Sequence, residues 1–337
     1  MAAGLAIIAL ATAVTAIRLP FAVWSAGTVT NLYAVSDGKP VLTVTGVTTY
    51  PTTGRLQVAG VAVTGQSISL LRGLSAFYSP DQAVMPASVD YPIGAPIPQV
   101  ASGLDSQETQ RAAEAAALQL AGLTVERAPR VVSVMASGPS YGLLLPDDVI
   151  ETVGSTPVAS VADLNQAIAL HPVGDTIQLT VMRDGKRLDN QVDIVGGSSN
   201  AEQQTPSLGI TTTDSYVLNG VEVQGAPTDI GSGLMLALAV YDMVTPDPLL
   251  GNLSVAGVGV IDANGTITGV AGASERLRAA QDAGVEVFLL PHSNCANVSL
   301  AGLTMTVVAV TSLSGAVASL EALAEGQTAR QVPTCQA

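Results

Sequence analysis

Few side chains in this chain of 337 residues can act as a base, a nucleophile or a metal ligand. Lysine occurs only at Lys39 and Lys186; the other eleven of the 13 basic residues are arginines. The imidazoles are His171 and His292, and the thiols are Cys295 and Cys335. Two distant histidines and two cysteines without a C-x-x-C pair make a zinc site improbable, and no cofactor is expected. A loop that cradles phosphate through Gly-x-x-x-x-Gly-Lys-Ser/Thr needs a lysine in that setting. Neither Asp37-Gly-Lys-Pro40 nor Asp184-Gly-Lys-Arg187 provides it, so any hydrolytic chemistry would be ATP-independent. The cysteines, 40 residues apart, could pair in an exported chain; a buried thiol at Cys295 and a tail thiol at Cys335 is the equal alternative.

Composition narrows the classes further. The 27 acidic residues against 13 basic ones leave a net charge of −14, which argues against nucleic-acid binding. Apolar residues make up 48% and charged ones 12%, so the chain should bury sizeable cores, and its length accommodates two or three domains.

The elements that must position these groups follow from patterning. Met1 to Ile17 is uncharged and is followed by Arg18-Leu-Pro20 and Trp24. As a helix it would span roughly 24 Å against a hydrocarbon core of about 30 Å. Two readings stay open: a signal anchor continued through Leu19 to Trp24, or a signal peptide cleaved after the alanine-rich stretch. Residues 28–125 read as a β-rich region, with strands at Val41 to Thr45 and Leu56 to Val63, then an irregular Pro-rich stretch from Ser79 to Pro98. Asp105-Ser-Gln-Glu108 resembles a capping box opening a helix that ends before Gly122. After Arg130 come a helix near Val161 to Leu170 and two strands, Ile177 to Arg183 and Leu188 to Val195, joined across Asp184-Gly185. Gly196 to Pro206 reads as a polar linker. Helices and strands interleave beyond it: an apolar helix from Gly233, a helix from Glu275 to Ala283, strands at Val285 to Pro291 and Met305 to Val310, and a last helix to about Leu323.

Gly138-Pro-Ser140, Leu145-Pro-Asp-Asp-Val-Ile150 and Gly154-Ser155, followed by a helix, resemble a PDZ domain of the bacterial type, assigned to residues 126–197. The chain departs from that pattern at Asp147 and Ser155, where glycine is usual and a left-handed backbone is needed. The resemblance implies binding of polypeptide C-termini or unfolded exported proteins by strand addition; a spacer without peptide affinity is the alternative.

Residues 205–327, above all Val255 to Gly272 followed by a helix and Phe288-Leu-Leu-Pro291, resemble the proteolytic domain of Lon-type serine proteases. Combined with an N-terminal anchor (1–24), the β-rich region and the PDZ domain, with 328–337 as a tail, the chain resembles the membrane-anchored Lon-like PDZ proteases of bacteria. The fold class expected is α/β and α+β multidomain, on a single-pass anchor with the bulk extracytoplasmic. In that family a serine at the start of a helix attacks the substrate, and a lysine on the next helix is the base. Aligned from Gly233-Leu234, the family's serine falls on Gly231 and its neighbour on Ser232. Aligned from Ala271-Gly272, its lysine falls on Arg276. Arginine stays protonated and has no acceptor. The expectation is therefore a pseudo-protease that binds exported polypeptides; the alternative is an active ATP-independent serine endopeptidase rearranged around Ser232. His292 as a substitute base, oriented by Asp229 or Glu275, and Cys295 as a nucleophile are weaker readings than a structural role. The resemblance also implies self-association, or an intact paralogous protease as partner.

Overall fold

The computed structural model describes residues 17–65, 67–79, 81–86, 103–183, 185–197, 205–227 and 229–335. These divide into two compact units. The first comprises the chain to Val44, Thr48–Ala117 and the chain from Val223; the second comprises Thr45–Val47 and Leu118–Glu222. Most of the β-rich and Lon-like domains expected separately at 28–125 and 205–327 thus falls in one unit, while 45–47, 118–125 and 205–222 belong to the other.

In chain order the elements are β1 (Arg18–Leu19), β2 (Phe21–Asn31), β3 (Arg55–Thr64), β4 (Ile68–Ser69), α1 (Leu70–Phe77), β5 (Gln82–Pro86) and α2 (Gly103–Leu120). Then come β6 (Glu126–Val134), β7 (Val149–Val153), α3 (Val161–Ala169), β8 (Thr176–Arg183), β9 (Lys186–Asp193), β10 (Val195–Gly197), β11 (Thr205–Ser207) and β12 (Ile210–Val217). The chain continues with α4 (Gly233–Val244), β13 (Ser254–Gly257), α5 (Ala273–Asp282), β14 (Val287–Pro291), β15 (Thr306–Val310) and α6 (Leu313–Ala324).

The first unit is built on a six-stranded sheet in the order β15-β14-β13-β3-β2-β5. β13 runs parallel to β3 and β14, and β14 to β15; β2 is antiparallel to β3 and β5. Parallel neighbours need a crossover, and α5 supplies it between β13 and β14. Its buried Ala273, Arg276, Leu277 and Ala280 fall at helical spacing on one stripe, and Leu277 and Ala280 join Ala59, Ala256, Phe288 and Leu290 in the core. Arg276 is therefore carried inward by the same periodicity that buries its apolar neighbours.

Several expectations are corrected here. Leu19 to Trp24, expected to continue a membrane helix, forms β1 and the start of β2, and Trp24 packs at 7% exposure against Ala22 and Ala271. A continuous apolar run is compatible with a buried strand as well as with a helix, and here sheet pairing decides. No helix among the described residues is long and apolar enough to cross a membrane; residues 1–16 lie outside them. The Pro-rich stretch from Ser79 begins with β5, an edge strand that ends at Pro86. Its remainder, 87–98, lies outside the described residues. Asp105 falls within α2, which starts at Gly103, so the capping-box reading does not hold.

The tail is not loose. Ala309 N–H donates to Pro333 O at 2.9 Å and Cys335 N–H to Val307 O at 3.2 Å, so residues 333–335 cover the outer edge of β15. Cys335 is disulfide-bonded to Cys295, which settles the pairing left open by the sequence and removes Cys295 as a nucleophile.

The second unit has an antiparallel sheet in the order β9-β8-β7-β6-β12, over a core that includes Val131, Ile150, Leu164, Ile168, Leu179 and Leu208. The β8–β9 hairpin pairs from Thr176 opposite Asp193 to Arg183 opposite Lys186. The domain does not end at 197. Both ends of the supposed linker pair with each other as β10 and β11, and β12 then runs along β6.

Candidate functional site

β12 closes one side of the second unit's sheet, and among the described residues its outer edge has no strand partner. α3 packs alongside it. Ser160 caps α3, its Oγ accepting from Asp163 N–H at 3.1 Å. Asp214 on β12 accepts from Val161 N–H at 2.5 Å, fastening the helix N-terminus to the strand with a carboxylate at the positive end of the helix dipole. At the strand's other end the turn into β12 is held from inside. Ser140 Oγ donates to Leu208 O at 2.7 Å, Met135 N–H donates to Gly209 O at 2.9 Å, and Gly209 N–H donates to Ser207 Oγ at 3.1 Å. Gly209 has φ +68°, and a Cβ there would lie 3.0 Å from Pro139 Cδ, so the turn needs glycine. An unpaired strand edge walled by a helix is a slot for an extended chain, held by main-chain hydrogen bonds.

The loop Leu143 to Asp148 is fixed by ion pairs. Asp148, fully buried, accepts from Arg183 Nε and Nη2 at 2.6 Å each and from Leu145 N–H at 2.8 Å. Asp147 does adopt the left-handed backbone, φ +74°, and its carboxylate takes Arg130 Nη1 at 2.8 Å. At the second departure Gly154 takes the left-handed position, φ +59°, which relieves Ser155 of it.

In the first unit the two positions suggested by the Lon resemblance meet. Gly231 and Ser232 lie in a short 3-10 turn entering α4, and Arg276 lies on α5. A Cβ on Gly231 would stand 3.2 Å from Arg276 Nη2 and 3.4 Å from Asp229 Oδ1. Arg276, 7% exposed, donates through Nη1 to Asp229 Oδ2 at 2.6 Å and Ala59 O at 2.7 Å, and through Nη2 to Asp229 Oδ1 at 3.1 Å. The guanidinium is a donor on every side and offers no lone pair.

Ser232 is 1% exposed and its hydroxyl donates to Asp229 O at 2.5 Å. Three of the amides around this turn are also committed: Gly231 N–H to Asp229 Oδ1, Ser232 N–H to Asp229 O and Leu234 N–H to Gly259 O. His292 is exposed, and Asp229, expected as its orienting acid, is engaged by Arg276 instead. The relay of Ser232, His292 and Asp229 is not assembled. Glu275 is buried on α5 and is not drawn into it.

Residues 109–194 match the PDZ domain family. The chain carries a PDZ domain. A segment of 60 residues is 40% identical to the serine protease Do-like HtrA of Lactococcus lactis subsp. lactis (strain IL1403), covering 18% of this chain and 15% of that protein's length. Solved structures similar to this chain include the PDZ domain of an SdrC-like protein from Listeria monocytogenes, at 22% identity and a TM-score of 0.23 over 25% of this chain and 86% of that one. The second domain of a Listeria innocua protein is similar at 23% identity and a TM-score of 0.24, over 26% and 83% respectively.

The PDZ match stops at Ile194, before β12. The edge strand of the domain was also missed in the sequence. Its signal was the hydrophobic-Gly-hydrophobic step Leu208-Gly209-Ile210 leading into Ile210 to Val217, concealed by a polar hairpin that reads as an interdomain linker.

Proposed function

We propose that this is a membrane-tethered, extracytoplasmic protein of Lon-like architecture whose hydrolytic site is closed by an ion pair, and which binds exported polypeptides through its PDZ domain. The observation that carries the reading is the Arg276–Asp229 pair. It lies against the backbone of Gly231, where a nucleophile would be needed, and it ties up both oxygens of the carboxylate beside that position, Asp229, in bonds from the guanidinium. The disulfide between Cys295 and Cys335 agrees with an oxidising compartment, and the uncharged run Met1 to Ala16 agrees with a tether. The PDZ edge formed by β12 and α3 offers the binding slot.

The test is a fluorophosphonate probe and unfolded casein given to the purified chain, alongside a display screen of peptides with free C-termini. The reading expects no labelling, no cleavage and a defined C-terminal consensus. Labelling that vanishes in Ser232→Ala would establish the active endopeptidase instead. A screen without consensus would make the PDZ domain a spacer.

A further inference from the structure

Helix α1 is amphipathic in the wrong sense for a soluble surface. Its small residues face inward: Gly73 is buried, and Ala76, fully buried, packs with Val23 and Ile68. Its large apolar residues face out, with Leu71 at 53%, Leu74 at 46% and Phe77 at 74% exposed, and Tyr78 after it at 81%. An exposed cluster of this size marks an interaction surface, because scattered single exposures are what a solvated helix shows.

Two further observations say what covers it. Leu70 N–H, in the first turn of α1, donates to Ile17 O at 3.1 Å, so Ile17, the residue that follows the uncharged run Met1 to Ala16 in sequence, lies against this helix. Arg18, opposite Ser69 in the β1–β4 pairing, and Arg72, three residues beyond Ser69, are both exposed and form no salt bridge among the described residues. Two cations without a salt bridge among the described residues, beside an apolar patch in a chain of net charge −14, suit an anionic layer. A second copy meeting the patch about a two-fold axis would gather four arginines, two from each copy, at one interface.

We infer that α1 lies in the headgroup region of an anionic bilayer, with Leu71, Leu74, Phe77 and Tyr78 in the acyl boundary and Arg18 and Arg72 on lipid phosphates. Phe77 and Tyr78 are side chains of the kind that concentrate at this depth. The inference rests on the tether reading above and adds a second contact, one that would fix the rotation of the first unit on the membrane.

The experiment uses the full chain carrying Phe77→Trp, reconstituted with vesicles of phosphatidylcholine and phosphatidylglycerol. Acyl chains brominated close to the headgroup serve as the quencher, and flotation is measured in parallel. Buried Trp24 in the unsubstituted chain supplies the background. Quenching of the added indole by about twofold, weakened in Arg18→Glu/Arg72→Glu, is the expected result. Protein that floats with the vesicles but shows no quenching overturns the docking of α1 and leaves the tether standing. Protein that does not float overturns both. Leu74→Trp repeats the measurement from the adjacent turn, so one misplaced indole cannot decide it.

Discussion

Arg276 and Asp229 form a two-pronged ion pair in which the two partners are unequally buried: the guanidinium side chain is 8% exposed and the carboxylate side chain 37%. Removing either partner therefore has a different cost. In Asp229→Ala a buried cation loses its counter-charge, and we expect a destabilisation of about 3 kcal/mol. In Arg276→Met the remaining carboxylate can hydrate, and about 1 kcal/mol is expected. Chemical denaturation of the two variants checks the order; equal losses would refute the asymmetry.

A second outcome concerns catalysis. Gly231→Ser alone should remain unlabelled by a fluorophosphonate, because the neighbouring guanidinium cannot take a proton. Gly231→Ser with Arg276→Lys places an amine with a removable proton beside the hydroxyl, and labelling is expected only there. Labelling of the single variant would mean that another group acts as base.

Glu114 offers a test in pH. Burial, opposed in part by Arg111, pushes its carboxyl from the usual 4.5 to about 7. The folded state thus keeps a proton that the unfolded chain has released. The associated stability is complete below about pH 4.5 and is lost as pH rises through 7, for a total of about 3 kcal/mol. Urea midpoints should fall between pH 5 and 8, and Glu114→Gln should flatten that fall and raise the midpoint at pH 8.

Reduction of the disulfide is the fourth. Cys295 and Cys335 close a loop of sequence separation 40, for which chain entropy predicts about 4 kcal/mol. Cys335→Ala should show a loss of that order in denaturant without further change on adding reductant. Hydrogen exchange should rise first at the Ala309 amide, which donates to Pro333 O, and at the residue-335 amide, which donates to Val307 O.

How much of this was legible in the sequence depended on how local the cause was. The β8–β9 hairpin announces itself through alternation around Asp184-Gly185, and α3 through Ser160 and its apolar stripe. Both are decided within a dozen residues. Phe21 to Asn31 could not be told from a helix, because what makes it a strand is Arg55–Thr64 on one side and Gln82–Pro86 on the other. The juxtaposition of Gly231 and Arg276 was readable from spacing, through the family resemblance. The role of Asp229 was not, since nothing local tells an aspartate before an apolar helix that its counter-ion sits on a different helix.

The sheet of the first unit pairs Arg55 with Ser254, 199 positions apart, while the strands of the second unit lie wholly within that interval. Contacts of such separation form slowly, because a long stretch of chain must be closed before they are rewarded. During synthesis the PDZ domain can therefore complete its sheet while β3 still waits for β13. In that interval β3 carries an unpaired edge along the residues that will meet Ser254 to Gly257, and a chaperone is the natural place for it to be protected.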